Sequence, residues 1–274
     1  MRSNNSPASE ARPKQKSRFM TNYDYSIYYK RYHNGSPEDL ERMALVYKKM
    51  LSSLLLPYPR STKVLDYGCG DGALVNYLSR HFDDVFGVDA SKEQIETGIR
   101  NGVNIEYLPL KNFEDWCESN AGTYDIVFTF DVLEHVPVAD QIPFLRHLAM
   151  LLKPGGNLFV KVPNANSLLA SRWRYSDWTH HSSFTEASLD FVLQNSGFTD
   201  IQYFPDESQI KPDYWWVPRI SLTRFYLKSI FNWLWYCYLR CELGKEARSI
   251  PTGINLFARA TFKPKIESNE HAKA

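Results

Sequence analysis

From Val64 to Gly72 a short apolar run ends in a carboxylate and passes into three glycines at alternate positions: Val64-Leu65-Asp66-Tyr67-Gly68-Cys69-Gly70-Asp71-Gly72. Glycine tolerates the sharp backbone turns such a loop needs, and its missing Cβ lets a ligand come close. Helical periodicity follows at once over Ala73–Phe82, where Leu74, Tyr77 and Leu78 share a face. The loop therefore opens onto a helix start with free N–H groups. About twenty residues on, the strand Val85–Val88 ends in Asp89, where a carboxylate can accept both hydroxyls of a ribose.

The same alternation continues along the chain. Ser36-Pro37-Glu38 predicts a capped helix with proline at N1, and its apolar residues run from Leu40 to Leu56. Ser91 and Gln94 have capping-box spacing. Ile105–Leu108 and the doubly apolar run Tyr124–Phe130 read as strands. Leu145, Leu148, Leu151 and Leu152 mark a helix stopped at Pro154-Gly155-Gly156, followed by the strand Leu158–Val162. Thr185 caps a helix closed by Gly197, and Ile201–Phe204 and Ile254–Phe262 are the last strands. Such alternation predicts an α/β fold: a Rossmann-like, seven-stranded, mostly parallel sheet with helices on both faces, its last strand antiparallel and preceded by an aromatic helical insertion. At 43% apolar and 23% charged residues the chain has material for that core. A net charge of +1 argues against a nucleic-acid-coating protein.

The charges around the glycine loop decide what it can hold. Gly68-x-Gly70-x-x-Ala73 fits a loose dinucleotide fingerprint, yet Asp66 and Asp71 flank the loop and would repel a pyrophosphate. A ligand bearing positive charge and a ribose suits them better. Together with Val88-Asp89-Ala90-Ser91, Asp125-Ile126-Val127, Asp131-Val132-Leu133-Glu134-His135-Val136 and Leu152-Lys153-Pro154-Gly155-Gly156, the chain from about Val64 to Phe262 resembles the class I S-adenosylmethionine-dependent methyltransferases. The resemblance implies S-adenosyl-L-methionine as cofactor. It places Asp66 near the cofactor's amino-acid end, Gly68 and Gly70 against its backbone, Asp89 on the ribose and Ala90 on the adenine. Phe130 and Asp131 would border the methionine moiety. Many relatives carry an Asp after the third strand; this chain has Leu110-Lys111-Asn112-Phe113-Glu114, so the adenine contacts would fall to Asn112, Phe113 or the backbone there.

An oxygen acceptor of high pKa needs a general base. The loop after the fifth strand supplies Asp177-Trp178-Thr179-His180-His181, with His180 favoured over His181 as base and Asp177 expected to fix its tautomer. With Phe184-Thr185 and Ser188 to Phe198, this loop is similar to methyltransferases of bacterial surface-polysaccharide pathways. That similarity implies a sugar hydroxyl of a glycan or glycolipid, small or lipid-linked, as acceptor. A quinone or other lipophilic phenol is the alternative, since Glu134-His135 lies in a stretch shared with quinone-biosynthesis O-methyltransferases. In some of those the region has been linked to a divalent metal; here a structural role for the pair is expected and no metal is assigned. A scaffold that binds the cofactor without catalysis is the alternative of another class.

Three regions lie outside this core. Residues 1–20 are polar and basic and read as a disordered arm, residues 21–262 as the methyltransferase domain, and residues 263–274 as a flexible tail. Tyr23, Tyr25, Tyr28, Tyr29 and Tyr32 are available for a lid or for packing at the sheet edge. The insertion, residues 206–250, holds Trp215, Trp216, Trp233 and Trp235, and its uncharged stretch Ser229–Leu239 is too short to span a bilayer. Arg219, Arg224, Lys228 and Arg240 beside its aromatics suit a peripheral membrane contact, a dimer interface or a lid over the acceptor. The oligomeric state is left open. Cys69, Cys117, Cys237 and Cys241 do not form a disulfide framework, and no apolar leader is visible, so a reducing cytoplasm is expected.

Overall fold

The computed structural model describes residues 36–205 and 219–264 of the 274-residue chain. The basic arm, the tyrosine-rich run 23–32, Trp215, Trp216 and the tail from residue 265 lie outside the described residues. Seven strands form one sheet: β1 Lys63–Tyr67, β2 Asp84–Asp89, β3 Ile105–Tyr107, β4 Tyr124–Phe130, β5 Leu152–Pro163, β6 Phe198–Phe204 and β7 Asn255–Phe262. Their order is β3-β2-β1-β4-β5-β7-β6. β1 to β5 are mutually parallel, and β7 runs antiparallel between β5 and β6. The expected sheet is the one observed.

Burial on both faces follows from the strand sequences. Val64, Ile126, Phe128 and Phe159 point to one side, where they meet Leu51, Leu74, Leu78 and Ile95. Those come from α1 (Pro37–Leu55), α2 (Ala73–Leu78) and α3 (Lys92–Arg100). The alternate residues Leu65, Val127, Leu158 and Val160 point to the other side, against Cys117, Leu145, Leu148 and Leu189. These belong to α4 (Phe113–Ser119), α5 (Gln141–Leu151) and α7 (Glu186–Gln194). Each such side chain contributes about 1.5–3 kcal/mol on burial, so the sheet is a rigid floor for whatever sits at its strand ends. Because β2 lies on one side of β1 and β4 on the other, the direction in which strands are added reverses between β1 and β4. The crevice at the carboxyl ends of β1 and β4 is where open α/β sheets take ligands.

Local signals behave unevenly. Ser36 caps α1 through a bond from Asp39 N, with Pro37 in the first turn, and Thr185 with Ser188 forms a capping box on α7. The box expected from Ser91 and Gln94 does not form; Ser91 makes no side-chain cap bond. Its backbone N–H, which Gln94 would have to accept, is donated instead to Asp89 Oδ1 at 2.6 Å. α5 ends at Leu151, earlier than expected, because Leu152 is already extended and pairs with Tyr124 as the first residue of β5. Pro154, disfavouring helical geometry in the residue before it, is reached only after the strand has begun. The described part of the insertion is α8 (Arg219–Leu243), followed by a 3-10 turn at Glu246–Ser249. Among the described residues, no helix is long and apolar enough to cross a membrane.

Candidate active site

The glycine loop is zipped onto the neighbouring strand: Gly68 N and Cys69 N donate to Val88 O at 2.8 and 3.1 Å. Gly70, at φ +57°, turns its N–H toward Asp89 Oδ2, 2.9 Å away. Gly68 packs so closely that an added Cβ would lie 2.2 Å from Val132 Cγ2. The carboxylate ending β2 is therefore braced by backbone from the loop on one oxygen and from Ser91 on the other. Asp66 is only 2% exposed and Asp71 is also buried. Burial, with repulsion from Asp89, pushes the Asp66 carboxyl up to about 8, with Lys161 acting in the opposite direction. Asp89 is raised as well, by burial, against the bonds it accepts from Ser91, Gly70 and Ala90.

Three carboxylates gathered round one glycine loop make a site that a cation relieves and a pyrophosphate would burden. The chemistry of these residues thus fits a ligand with ammonium, sulfonium and ribose. Of the other residues expected at the cofactor, Ala90 is exposed beside Asp89, and Asn112 is exposed in the 3-10 turn Leu110–Asn112. Phe113 is half-buried, its ring 5.0 Å from Tyr67 and 5.4 Å from Phe144. Phe130 is buried at the end of β4. Asp131 follows it at φ +57°, a backbone conformation that L residues adopt at some expense and that tends to mark functional sites. Its carboxylate pairs with Lys161 Nζ at 2.6 Å. Lys161, half-buried and 5.4 Å from the Phe130 ring centre, carried no signal in the sequence beyond being a lysine in an apolar strand.

Beyond Asp131 a second polar group assembles from two distant segments. Glu134 and His135 lie in the 3-10 turn Leu133–His135, and the loop after α6 (Ala170–Ser176) brings Asp177, Thr179 and His180 against them. Asp177, buried, accepts from Thr179 N at 2.8 Å and Thr179 Oγ1 at 2.6 Å. Since that hydroxyl donates to Asp177, it accepts from His135 Nδ1, 2.9 Å away. His180 Nδ1 faces Trp173 O at 2.9 Å, and a carbonyl can only accept. Both imidazoles are thereby set as Nδ1–H tautomers with the lone pair on Nε2. The expectation that Asp177 fixes the His180 tautomer is corrected here: the Trp173 carbonyl does so, and Asp177 Oδ2 stands 3.9 Å from His180 Nε2. His181 is exposed and joins the cluster through its backbone N–H to Glu134 O at 2.7 Å.

The His135 and His180 rings meet edge to face at 4.6 Å. Burial holds His135 down at about 4 and lowers His180 too, so both are neutral bases near pH 7. Burial drives the Glu134 carboxyl in the opposite direction, toward its neutral form, and its Oε2 has no protein partner. One ligand atom each from Glu134, His135 and His180 lies within 4.8 Å of the others, a spacing a divalent cation can use. A neutral Glu134 can equally well donate to an imidazole nitrogen, and then no cation is required. The pair expected to be only structural therefore sits in the polar cluster. What joins it to His180 is topology, which places the end of β4 beside the loop after β5.

A mostly parallel sheet with this switch point, a glycine loop ringed by carboxylates and neutral imidazoles beyond it define a Rossmann-like α/β fold built to hold a ligand at its strand ends. Residues 40–203 match the family described as methyltransferase domain, and the chain belongs to that family, which uses S-adenosylmethionine. Over 108 residues it is 39% identical to the ubiquinone biosynthesis O-methyltransferase of Vibrio parahaemolyticus, spanning 38% of this chain and 45% of that relative. The namesake enzyme of Erwinia tasmaniensis is 38% identical over 109 residues, covering 38% and 44%. The matches thus span under half the length of those curated relatives. Among solved structures, a SAM-dependent methyltransferase from Archaeoglobus fulgidus superposes with a TM-score of 0.57 at 19% identity, covering 87% of this chain and 100% of that one. At that identity it supports the fold alone.

Proposed function

We propose that the protein methylates the hydroxyl of a lipophilic phenol of the quinone-precursor type. The observation that carries this reading is the pair of neutral imidazoles, fixed with their Nε2 lone pairs beyond Asp131, in a chain whose curated relatives are named as ubiquinone biosynthesis O-methyltransferases. The sugar-hydroxyl expectation rests on the Asp177–Phe198 segment alone, and those relatives favour the phenol.

In this reading S-adenosylmethionine supplies an electrophilic methyl group on a sulfonium. Asp89, held by Gly70 N and Ser91 N, would take the ribose hydroxyls, and Asp66 would lie near the cofactor's amino-acid end. Phe130 and Asp131 would border the methionine part, with Lys161 holding the Asp131 carboxylate. His180 Nε2 is the base that takes the acceptor hydroxyl's proton, leaving the oxygen as nucleophile for the methyl group the cofactor would supply. The imidazolium so formed is stabilised by Asp177, 3.9 Å away, while Trp173 O keeps the ring in place. General-base help of this kind contributes about 10²–10⁴-fold.

A radiolabelled-methyl assay tests the reading, offering in parallel a polyprenylated catechol and a lipid-linked saccharide. Label is expected in the catechol and lost in Asp89→Ala. Label confined to the saccharide would overturn the phenol reading and restore the sugar.

A further inference from the structure

Helix α8 presents an apolar surface that the other described residues leave uncovered. Tyr226, Ile230, Phe231, Trp233, Leu234 and Tyr238 are between 49% and 62% exposed. At 3.6 residues per turn they fall, with Leu227, within one arc of about 160°, and between Tyr226 and Tyr238 no charged residue falls inside it. The opposite side is the attached one. There Trp235 Nε1 donates to Asn166 O at 2.8 Å, and the helix end packs on Glu246–Ser249. An apolar face of this breadth on a helix about 37 Å long exceeds the scattered exposure of an ordinary water-soluble surface.

We propose that α8 is a docking helix for the surface of an anionic phospholipid bilayer. Charge is the first argument. From Arg219 to Arg248 the sequence carries six basic residues (Arg219, Arg224, Lys228, Arg240, Lys245, Arg248) and two acidic ones (Glu242, Glu246), a local balance of +4 in a chain whose total is +1. Lys228 and Arg240 fall on either side of the apolar arc, the arrangement of a helix lying in the plane of lipid headgroups. Composition is the second: Trp and Tyr have apolar rings with a polar tip and favour the interface between headgroup and acyl chain.

The breadth of the arc is the third argument, and it separates lipid from a second copy of the chain. A partner helix engages a narrow stripe, whereas this arc is wider than such a seam. A bilayer surface wets the whole arc. Docking would also bring the bilayer beside the segment between β5 and α6. Asn166, held by Trp235, lies between β5 and α6, and Leu168 and Leu169 next to it are 48% and 44% exposed.

The test is flotation of the full chain with vesicles of phosphatidylcholine alone or mixed with phosphatidylglycerol. The chain is expected to float with the mixed vesicles, and Phe231→Glu/Leu234→Glu to bind them at least about tenfold less tightly. Should that variant misfold by circular dichroism, Lys245→Glu/Arg248→Glu on the exposed turn is expected to weaken binding to the mixed vesicles selectively. Equal binding of both vesicle types, no binding, or binding unchanged in these variants overturns the proposal. So does a dimer in light scattering that Phe231→Glu/Leu234→Glu dissolves. The acceptor reading is scored separately with a short-chain catechol in vesicle-free buffer, where the α8 variants should turn over like the parent.

Discussion

The turn after α6 sends the His180 ring inward, where Trp173 O takes its Nδ1–H, and leaves His181 exposed and bonded through its backbone. His180→Ala is therefore expected to lower kcat by about 10²–10⁴-fold, and His181→Ala to leave it unchanged, in single-turnover assays at saturating cofactor. Because burial lowers the His180 pKa, its basic form persists below the ordinary 6.5. The rate should rise with pH on a limb below that value, and this limb should vanish in His180→Ala. Turnover is expected to survive excess EDTA, with Glu134 acting as a neutral donor. Loss of activity restored by Mg²⁺ or Zn²⁺ would instead make Glu134, His135 and His180 ligands. His180 was legible as a chemistry-bearing residue on the loop after β5, whereas His135 was expected to be structural. Their tautomers were not legible, because a backbone carbonyl sets one and a Thr179–Asp177 relay sets the other, and neither partner has a sequence signature.

At the scale of elements, the strands were legible because period-two burial and apolar runs coincide, as in Tyr124–Phe130. Boundaries were less so wherever a long-range partner competes with a local motif: Asp89 takes the N–H that a Ser91 capping box would use, and Tyr124 draws Leu152 into β5. One tertiary constraint on the cofactor loop was invisible in sequence. Gly98, inside α3, abuts the glycine loop, and an added Cβ would lie 2.4 Å from Asp71 O and 2.3 Å from Ile105 Cδ1. In an exposed helix Gly→Ala would stabilise by roughly 1 kcal/mol. Here the clash with a backbone oxygen wins, and Gly98→Ala should destabilise by about 1–3 kcal/mol in urea titrations. It should also weaken cofactor binding, because the displaced atom belongs to the loop that carries Asp71 between Gly70 and Gly72.

For the molecule as a whole, the buried histidines and buried carboxylates set opposite slopes of stability against pH. His135, held down at about 4, stays neutral in the fold while the unfolded chain protonates below 6.5, so its contribution is lost as pH falls through that window. Asp66, raised to about 8, stays protonated in the fold while the unfolded chain ionises above the ordinary carboxylate range. Its contribution is therefore lost as pH rises from about 4 to about 8. Below pH 6.5 the two oppose each other; above it the histidine contribution is constant and the carboxylate slope stands alone. The ligand-free protein should lose thermal stability between pH 6.5 and 8, and Asp66→Asn should flatten that decline. A cationic ligand reverses the electrostatics, since an ammonium facing Asp66 favours the ionised carboxyl and binding then releases a proton. S-adenosylmethionine should accordingly bind more tightly as pH rises toward 8 and raise Tm more at pH 8 than at pH 6. Calorimetry in buffers of different ionisation enthalpy would read the released proton directly. Affinity independent of pH across that range would separate Asp66 from the cofactor's ammonium and leave the binding role to Asp89 and the glycine loop.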